Sequence, residues 1–497
     1  MNNETTMRPA WREPIVAAGL AVILIVQAVV VWHDLPRALD HDEGEHLRAA
    51  AWMASGKTLY RDFAENHTPF LYMILAPLAP TATDDVAAMR RYAMVARALS
   101  ALAGIGAVLC IAAIAFALTG DAMAALAVLA ALLATSWTWI RTVIDVRSEP
   151  FTLLLFWAGA LLVVRGSASS RRAILTAGAG IGLIAVADLW NPKWPLESLV
   201  ILGLYATYLF RNTARNIIAS LAIAAALPLI ALCIALRVTT LRDLLFFSFT
   251  FAAAISRWYR GAVAGTSASG FAFCPAWLMP WFAIAATVIV IVRRRNFLFV
   301  LLLVLAATVE VVFLYPYPHL WPQYLVMWAC VIALLYGVAI EAIGNRPAVR
   351  AIVAAAIVIG FVAHEWPRMT MHIDERQWRT MAELQQRLAP GESAWVRPEE
   401  LTAATKAGSY YWYAFDDQVP FSLTYAQTAA ANGFLPPLRD EDLPPCRIAR
   451  GIDTQRVRLL DSRAIRNLPA SKQCMTELLQ RGTIRRIAGT PIYEVAR

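Results

Sequence analysis

The chain has 497 residues, of which 59% are hydrophobic and only 16% charged, with a mean hydropathy of +0.54. Soluble globular proteins carry about 25% charged residues, so an ordinary cytosolic enzyme, a disordered chain and a disulfide-dense secreted module are all excluded. Its 44 Lys+Arg against 35 Asp+Glu give +9, but many of the basic residues sit in short loops between apolar runs, where they set membrane topology rather than a nucleic-acid surface.

Charge is also unevenly placed: about an eighth of positions before Arg368 and about a quarter after it, the latter being the soluble norm. Residues 1–366 therefore form a membrane part, and 367–497 a water-soluble domain. In chain order, runs near the length of about 20 apolar residues that a bilayer requires fall at 15–32, 95–118, 122–140, 150–165, 173–190, 195–210, 216–236, 275–292, 296–315, 319–341 and 351–366. Continuous runs without alternation exclude a β-barrel. The first run ends in Val31-Trp32-His33 with no small-residue cleavage site, so it is expected to remain as an anchor.

Arg8 and Arg12 precede the first run. With that end in the cytoplasm, the clusters Arg165/Arg171/Arg172, Arg211/Arg215, Arg293-Arg294-Arg295 and Arg346/Arg350 all fall on the same side, as the positive-inside rule requires. Thr119-Gly120-Asp121 is the one turn on that side without a basic residue. The segments 33–94, 141–149, 191–194, 237–274 and 315–319, together with the tail, then gather on the extracytoplasmic face. That compartment is oxidising, so Cys446 and Cys474, the two tail cysteines, are a candidate disulfide. Cys110, Cys233, Cys274 and Cys330 lie in or beside apolar runs and read as packing residues.

The first outer loop opens with Asp40-His41-Asp42-Glu43-Gly44-Glu45-His46. Leu47, Ala50, Ala51 and Ala54 then line one side of a short helix that Gly56 ends. Phe70–Pro80 is apolar but too short to span, and reads as an interfacial helix. A carboxylate at a water–lipid boundary can deprotonate an attacking hydroxyl. Asp40-x-Asp42 also permits, without requiring, a divalent metal such as Mg or Mn on phosphate oxygens. The same acids equally suit the positive end of a helix.

Asp42-Glu43, the following helix, Ser55-Gly56, Tyr60-Arg61-Asp62 and His67-Thr68-Pro69-Phe70 resemble the first outer loop of GT-C glycosyltransferases, in the branch of aminoarabinose transferases and protein O-mannosyltransferases. Ser148-Glu149-Pro150-Phe151 and the Pro-, His- and Tyr-rich stretch Tyr315–Tyr324 extend the likeness. Two positions depart from it: Glu149 stands where Asp is usual, and His67-Thr68 replaces the basic residue before Pro69. The resemblance implies an α-helical polytopic GT-C membrane fold of about 11 transmembrane helices. It further implies a polyprenyl-phosphate sugar donor and an inverting transfer to a hydroxyl of a lipid, glycan or protein outside the cytoplasmic membrane. By the same resemblance Asp42 is the leading catalytic base and Glu43 the next, with Tyr60 and His67 as substrate-binding positions in the matched loop.

Arg147 and Glu149 join two spans. They suit a phosphate and a sugar or acceptor respectively, or a helix start at Pro150. Lys193, in Asn191-Pro192-Lys193-Trp194-Pro195, is the first candidate to hold a donor phosphate, although a lysine there also snorkels to head groups. Arg257 and Arg260 flank two interfacial aromatics, and His319 sits among alternating prolines; both segments are further candidates for phosphate contact or, for His319, proton transfer. Glu310 and Asp188 are carboxylates in apolar runs, costly unless paired or facing a polar cavity.

In the tail, Trp378, Met381, Leu384 and Leu388 share a helical spacing over 374–388, and Ser393–Val396, Tyr410–Phe415 and Ile492–Val495 read as strands. An extracytoplasmic α/β domain results, with no phosphate loop or nucleophile elbow. A secondary transporter or lipid flippase is the alternative, with Glu310 on a proton path. The sequence shows no internal repeat, however, and its ionisable residues gather outside the apolar runs. An oligosaccharide ligase or oligosaccharyltransferase, with a diphosphate donor, shares the architecture.

Overall fold

The structure is a computed structural model, and it describes residues 14–63, 65, 67–80, 85–133, 143–166, 170–251, 298–310, 322–340, 347–371, 373, 375–389, 392–396, 431, 433, 439–453, 456–463 and 468–496. Two compact units emerge. The first contains Met1–Leu35, Ala98–Cys233 and Ala264–His372; the second contains Pro36–Arg97, Ile234–Val263 and Ile373–Arg497. The first outer loop thus groups with the tail, although composition alone set it with the membrane part.

The first unit is helical. Its apolar runs become α1 (Pro14–Asp34), the greater part of α4 (Val86–Thr119), α5 (Ala122–Leu133), α6 (Glu149–Arg165), α7 (Arg171–Trp190), α8 (Pro195–Leu209), α9 (Ala214–Ala235), α11 (Leu298–Val309), α12 (Pro322–Ile340) and α13 (Pro347–Met369). Among the described residues, α1, α4, α7, α9 and α13 are long and apolar enough to cross a bilayer, while α5, α8, α11 and Leu325–Ile340 are shorter apolar helices. The chain is a multi-pass membrane protein. The expected span at 275–292 lies outside the described residues.

Within lipid, helices associate by close packing and interhelical hydrogen bonds rather than by expulsion of water. Small residues let them approach. A Cβ on Gly159 of α6 would lie 2.5 Å from the Gly180 carbonyl of α7, and a Cβ on Gly180 would lie 2.5 Å from the Gly159 carbonyl. Ser220 of α9 packs on Gly178, donates to the Ile174 carbonyl at 2.7 Å and lies 2.6 Å from the Tyr205 hydroxyl. One hydroxyl therefore ties α7, α8 and α9 together. Asp121, ahead of α5, accepts from both terminal nitrogens of Arg350 on α13, at 2.6 and 2.8 Å. Exposed Ile218, Leu221, Leu229 and Ile230 form an apolar outer surface on α9, suited to lipid.

The second unit begins with α2 (His41–Ala54), which ends before Gly56 at φ 89°, and α3 (Phe70–Leu75), and it includes the short α10 (Leu241–Leu245). Asp40 is the N-cap of α2, and its backbone N–H donates to Glu43 Oε2 at 2.9 Å. The expected interfacial stretch is thus one short helix with a 3-10 turn. Phe70, Leu71, Tyr72 and Leu75 are buried while Ile74 and Leu78 remain exposed.

The start of α2 is held by α14 (Arg376–Gln386) of the tail. Gln377 exchanges two hydrogen bonds with the Leu39 backbone, and the Trp378 indole N–H donates to the Pro36 carbonyl at 3.0 Å. Trp378, Met381 and Leu384 are the buried face of α14, as their spacing requires. The tail also forms a four-stranded sheet of β1 (Ser393–Trp395), β2 (Val457–Asp461), β3 (Ile484–Arg486) and β4 (Ile492–Val495), in the order β1-β2-β4-β3. β1 runs parallel to β2, with a bulge between Ser393 and Ala394; the other pairings are antiparallel. Two helices, α15 (Pro444–Ala449) and α16 (Pro469–Gln480), are joined by a Cys446–Cys474 disulfide. The strand expected at Tyr410–Phe415 lies outside the described residues.

Candidate active site

In the outer loop the sequence folds α2 so that its acids occupy the first turn, where the helix dipole favours negative charge. Asp42 and Glu43 are neighbours there, but their environments differ. Glu43 is fully buried against a fully buried Arg97, which donates from Nε to Oε1 at 2.8 Å and from a terminal nitrogen to Oε2 at 2.6 Å. Arg97 also donates to the Arg37 and Ala38 carbonyls, both at 2.8 Å. Burial pushes the Glu43 carboxyl up, but the Arg97 and Arg37 charges and the Asp40 N–H outweigh it and hold it at about 2. A carboxylate so engaged is a poor proton acceptor; Glu43 braces the helix start. Asp42, one residue earlier, is half-buried.

One turn along α2, His46 shares the Asp42 face, since residues four apart are neighbours on a helix. Its Nδ1 lies 3.1 Å from the Tyr72 hydroxyl of α3, and its ring meets the His67 ring edge-on at 4.8 Å. His67 Nδ1 is 2.8 Å from Glu65 Oε1. Tyr60 has φ 67°, a strained left-handed conformation for a residue with a side chain, and is buried with its ring stacked on Phe247 at 4.8 Å. Its hydroxyl donates to the His67 carbonyl, and burial above all pushes that phenol up from its ordinary value. Tyr60 and His67 are therefore brought together, within the loop's own framework. Lys57 and Arg48 lie on the Trp52 ring, each 4.7 Å from its centroid.

Asp40 caps α2, and Asp42 sits two positions on in its first turn. Among the described residues, a group of three metal-capable side chains is formed by His46, Glu65 and His67, whose donor atoms lie within 4.8 Å of one another. Sequence reading missed it because His46 and Glu65 are 19 positions apart (65 − 46), a distance that no short motif spans.

In the first unit, Glu149 opens α6 and receives the Lys193 ammonium. Ser148 Oγ lies 3.4 Å from Glu149 Oε2 and accepts from Asn191 Nδ2 at 2.9 Å. Arg147 Nε is 3.7 Å from Asp145 Oδ2. Glu149 and Lys193, predicted separately as substrate-binding groups, thus form one ion pair, with the Lys193 side chain 20% exposed.

A second acidic group lies where α8 begins. Glu310 Oε1 accepts from the Leu196 N–H at 2.7 Å, and Asp188 Oδ1 accepts from the Ser198 hydroxyl at 3.1 Å. Between them Glu197 is wholly buried, with Glu310 and Asp188 as its charged neighbours. Sequence reading singled out Asp188 and Glu310 but passed over Glu197, which two positions after Pro195 reads as an ordinary helix-start acid. Arg257, Arg260 and His319 lie outside the described residues.

No family model matches the sequence, and no curated protein matches it either. Solved structures do. The apo crystal structure of ArnT from Cupriavidus metallidurans superposes with a TM-score of 0.62 at 16% identity, covering 97% of both chains. The same enzyme crystallised with undecaprenyl phosphate matches 85% of this chain and 73% of its own, with a TM-score of 0.48 and 18% identity. The fold is that of a helical GT-C membrane protein. More narrowly, it is the ArnT-like form of that fold, followed along nearly the whole chain.

Proposed function

We propose that the chain is an inverting glycosyltransferase. It moves a sugar from a polyprenyl-phosphate-linked donor to a hydroxyl acceptor on the outer face of the cytoplasmic membrane. A fold hosts many functions, so the reading rests on a site feature within an ArnT-like fold: Asp42, half-buried in the first turn of an outer-loop helix whose start is locked by Glu43 and Arg97.

In the proposed reaction the acceptor oxygen attacks the anomeric carbon as the carbon–phosphate-oxygen bond breaks. The electron pair leaves with the polyprenyl phosphate, and Asp42 takes the hydroxyl proton. Glu43 is a positioning residue, because its negative charge is committed to Arg97. Lys193 meets donor phosphate, with Glu149 fixing the ammonium until phosphate competes for it. Arg257, Arg260 and His319 are proposed as further phosphate contacts, and Arg147 and Glu149 as the polar surround of Lys193. The N-terminus is cytoplasmic and the tail extracytoplasmic. Support comes from the Asp121–Arg350 pair, which joins two turns assigned to the cytoplasmic side, and from the Cys446–Cys474 disulfide, which suits an oxidising compartment.

The test uses the full chain in proteoliposomes with a labelled polyprenyl-phosphate sugar and extracted envelope lipids and glycans as acceptors. Asp42→Asn should lower turnover about 10²–10⁴-fold, the range for loss of a general base, while the variant still inserts and folds. Full activity in a folded Asp42→Asn chain removes Asp42 from the mechanism. Substrate transport without donor consumption overturns the transferase reading itself.

A further inference from the structure

We infer that α14 of the tail is a clamp on the proposed catalytic base. Gln377 and Trp378 are positioning residues that set the direction in which α2 presents Asp42, a role that rests on the transferase reading of Asp42. Residues 36–39 lead into the N-cap Asp40 and lie in neither helix nor strand, so their backbone polar groups need partners from elsewhere. Side chains of two helices supply them. The Trp378 indole N–H donates to the Pro36 carbonyl at 3.0 Å and to the Arg37 carbonyl at 3.3 Å. Gln377 accepts from the Leu39 N–H and donates from Nε2 to the Leu39 carbonyl at 3.0 Å. Arg97 of α4 takes the Arg37 and Ala38 carbonyls, both at 2.8 Å.

Glutamine is fitted to this task. Its carboxamide carries a donor and an acceptor side by side, so it engages the N–H and the C=O of a single residue at once. Gln377, Met381 and Gln385 follow at four-residue spacing, which places them on one face of α14. Gln385 Oε1 accepts from the N–H of Val86, the first residue of α4, at 3.2 Å. Glu375, just ahead of α14, pairs with Arg90 of α4, whose guanidinium lies 5.8 Å from the centroid of the Trp378 ring. Beyond the other end of α14, an Arg387 terminal nitrogen is 3.2 Å from Glu494 of β4. The helix is thus tied to α4, to the sheet and to residues 36–39.

Asp42 is the second residue of α2 and follows Leu39 by three positions (42 − 39). The start of α2 cannot turn without breaking the paired hydrogen bonds of Gln377. A carboxylate that acts as a base must lie within hydrogen-bond reach of the proton it takes. Misplacement by about 1 Å, caused by a substitution far from the chemistry, costs about 100-fold in rate. Glu43 and Arg97 brace the first turn from within, and α14 fixes the chain that enters it. The tail acts on turnover through α2 rather than at the reacting atoms.

The experiment uses the full chain in proteoliposomes, with the labelled polyprenyl-phosphate sugar and envelope acceptors. Gln377→Glu keeps the shape of the side chain but sets a carboxylate oxygen against the Leu39 carbonyl, and Trp378→Phe keeps a buried ring while removing its N–H. Together they should lower kcat about 10–100-fold and leave the donor KM and the Tm unchanged. Amide hydrogen exchange should quicken over residues 39–46 but not over β2 and β4. Trp378→Phe alone should shift kcat and exchange in the same directions. Glu477→Gln on α16, which alters an exposed pair with Arg481, should change none of these readouts. On an Asp42→Asn background the two substitutions should cost no further turnover, because residues that act as a unit are not additive; a general structural defect would lower both backgrounds alike. Native kcat in the double variant, unchanged exchange over 39–46, or the full loss repeated on Asp42→Asn would each overturn the clamp. Full activity of Asp42→Asn is a separate failure, which removes the base itself and with it the target of the clamp.

Discussion

Glu43 and Asp42 show how two adjacent acids acquire different work. A buried ion pair is weak evidence of net stability, but removing one partner leaves a buried charge uncompensated and costs about 3–5 kcal/mol. Glu43→Gln should therefore destabilise the chain by about that amount, measured by thermal unfolding in detergent, because Arg97 would remain buried. The carboxyl's pKa is about 2 when folded against 4.5 as its ordinary value. Its contribution is fully present above pH 4.5 and is lost as pH falls from 4.5 towards 2. Melting curves across that window should fall for the native chain and be flatter for Glu43→Gln; equal slopes would show that the pair is not the acid-sensitive element. Asp42 has no such signature in the sequence, since only the fold reveals which of the two neighbours Arg97 has taken.

At the scale of elements, the α6–α7 hairpin depends on its glycines. With a Cβ at residue 159 only 2.5 Å from the Gly180 carbonyl, Gly159→Val must push the two helices apart. The cost should be about 1–3 kcal/mol, typical of overpacking, read as a lower Tm and reduced recovery of monodisperse protein. An unchanged Tm would mean the helices do not approach there. Elements encoded by local pattern were legible beforehand: α1 and α7 from apolar runs, α2 from its Leu47-Ala50-Ala51-Ala54 side and the stop at Gly56, α14 from its Trp378-Met381-Leu384 stripe and β4 from Ile492–Val495. β2 and β3 were not. Their residues Val457–Asp461 and Ile484–Arg486 mix arginine with a few apolar positions and become strands through pairing with β4, which no local pattern announces.

For the whole molecule, sidedness is the property on which the proposed chemistry turns. Single cysteines at Ser55 and Thr213, both exposed, should react with a membrane-impermeant maleimide from opposite sides: Ser55→Cys in intact cells, Thr213→Cys only after permeabilisation. Labelling of both from outside would break the topology. The sequence by itself determined the membrane character, the alternation of apolar runs with basic turns, and the loops where acids and cations collect. Hydropathy, caps and breakers act over a few residues and are written in order along the chain. Tertiary structure alone decided which partners the buried acids take: Glu43 with the Arg97 charge across 54 positions, Glu149 with the Lys193 charge across 44, and Glu310 with the neutral Leu196 N–H across 114. A buried charge takes whichever partner the fold brings within reach, and hydrogen-bond distance is a property of space rather than of sequence separation.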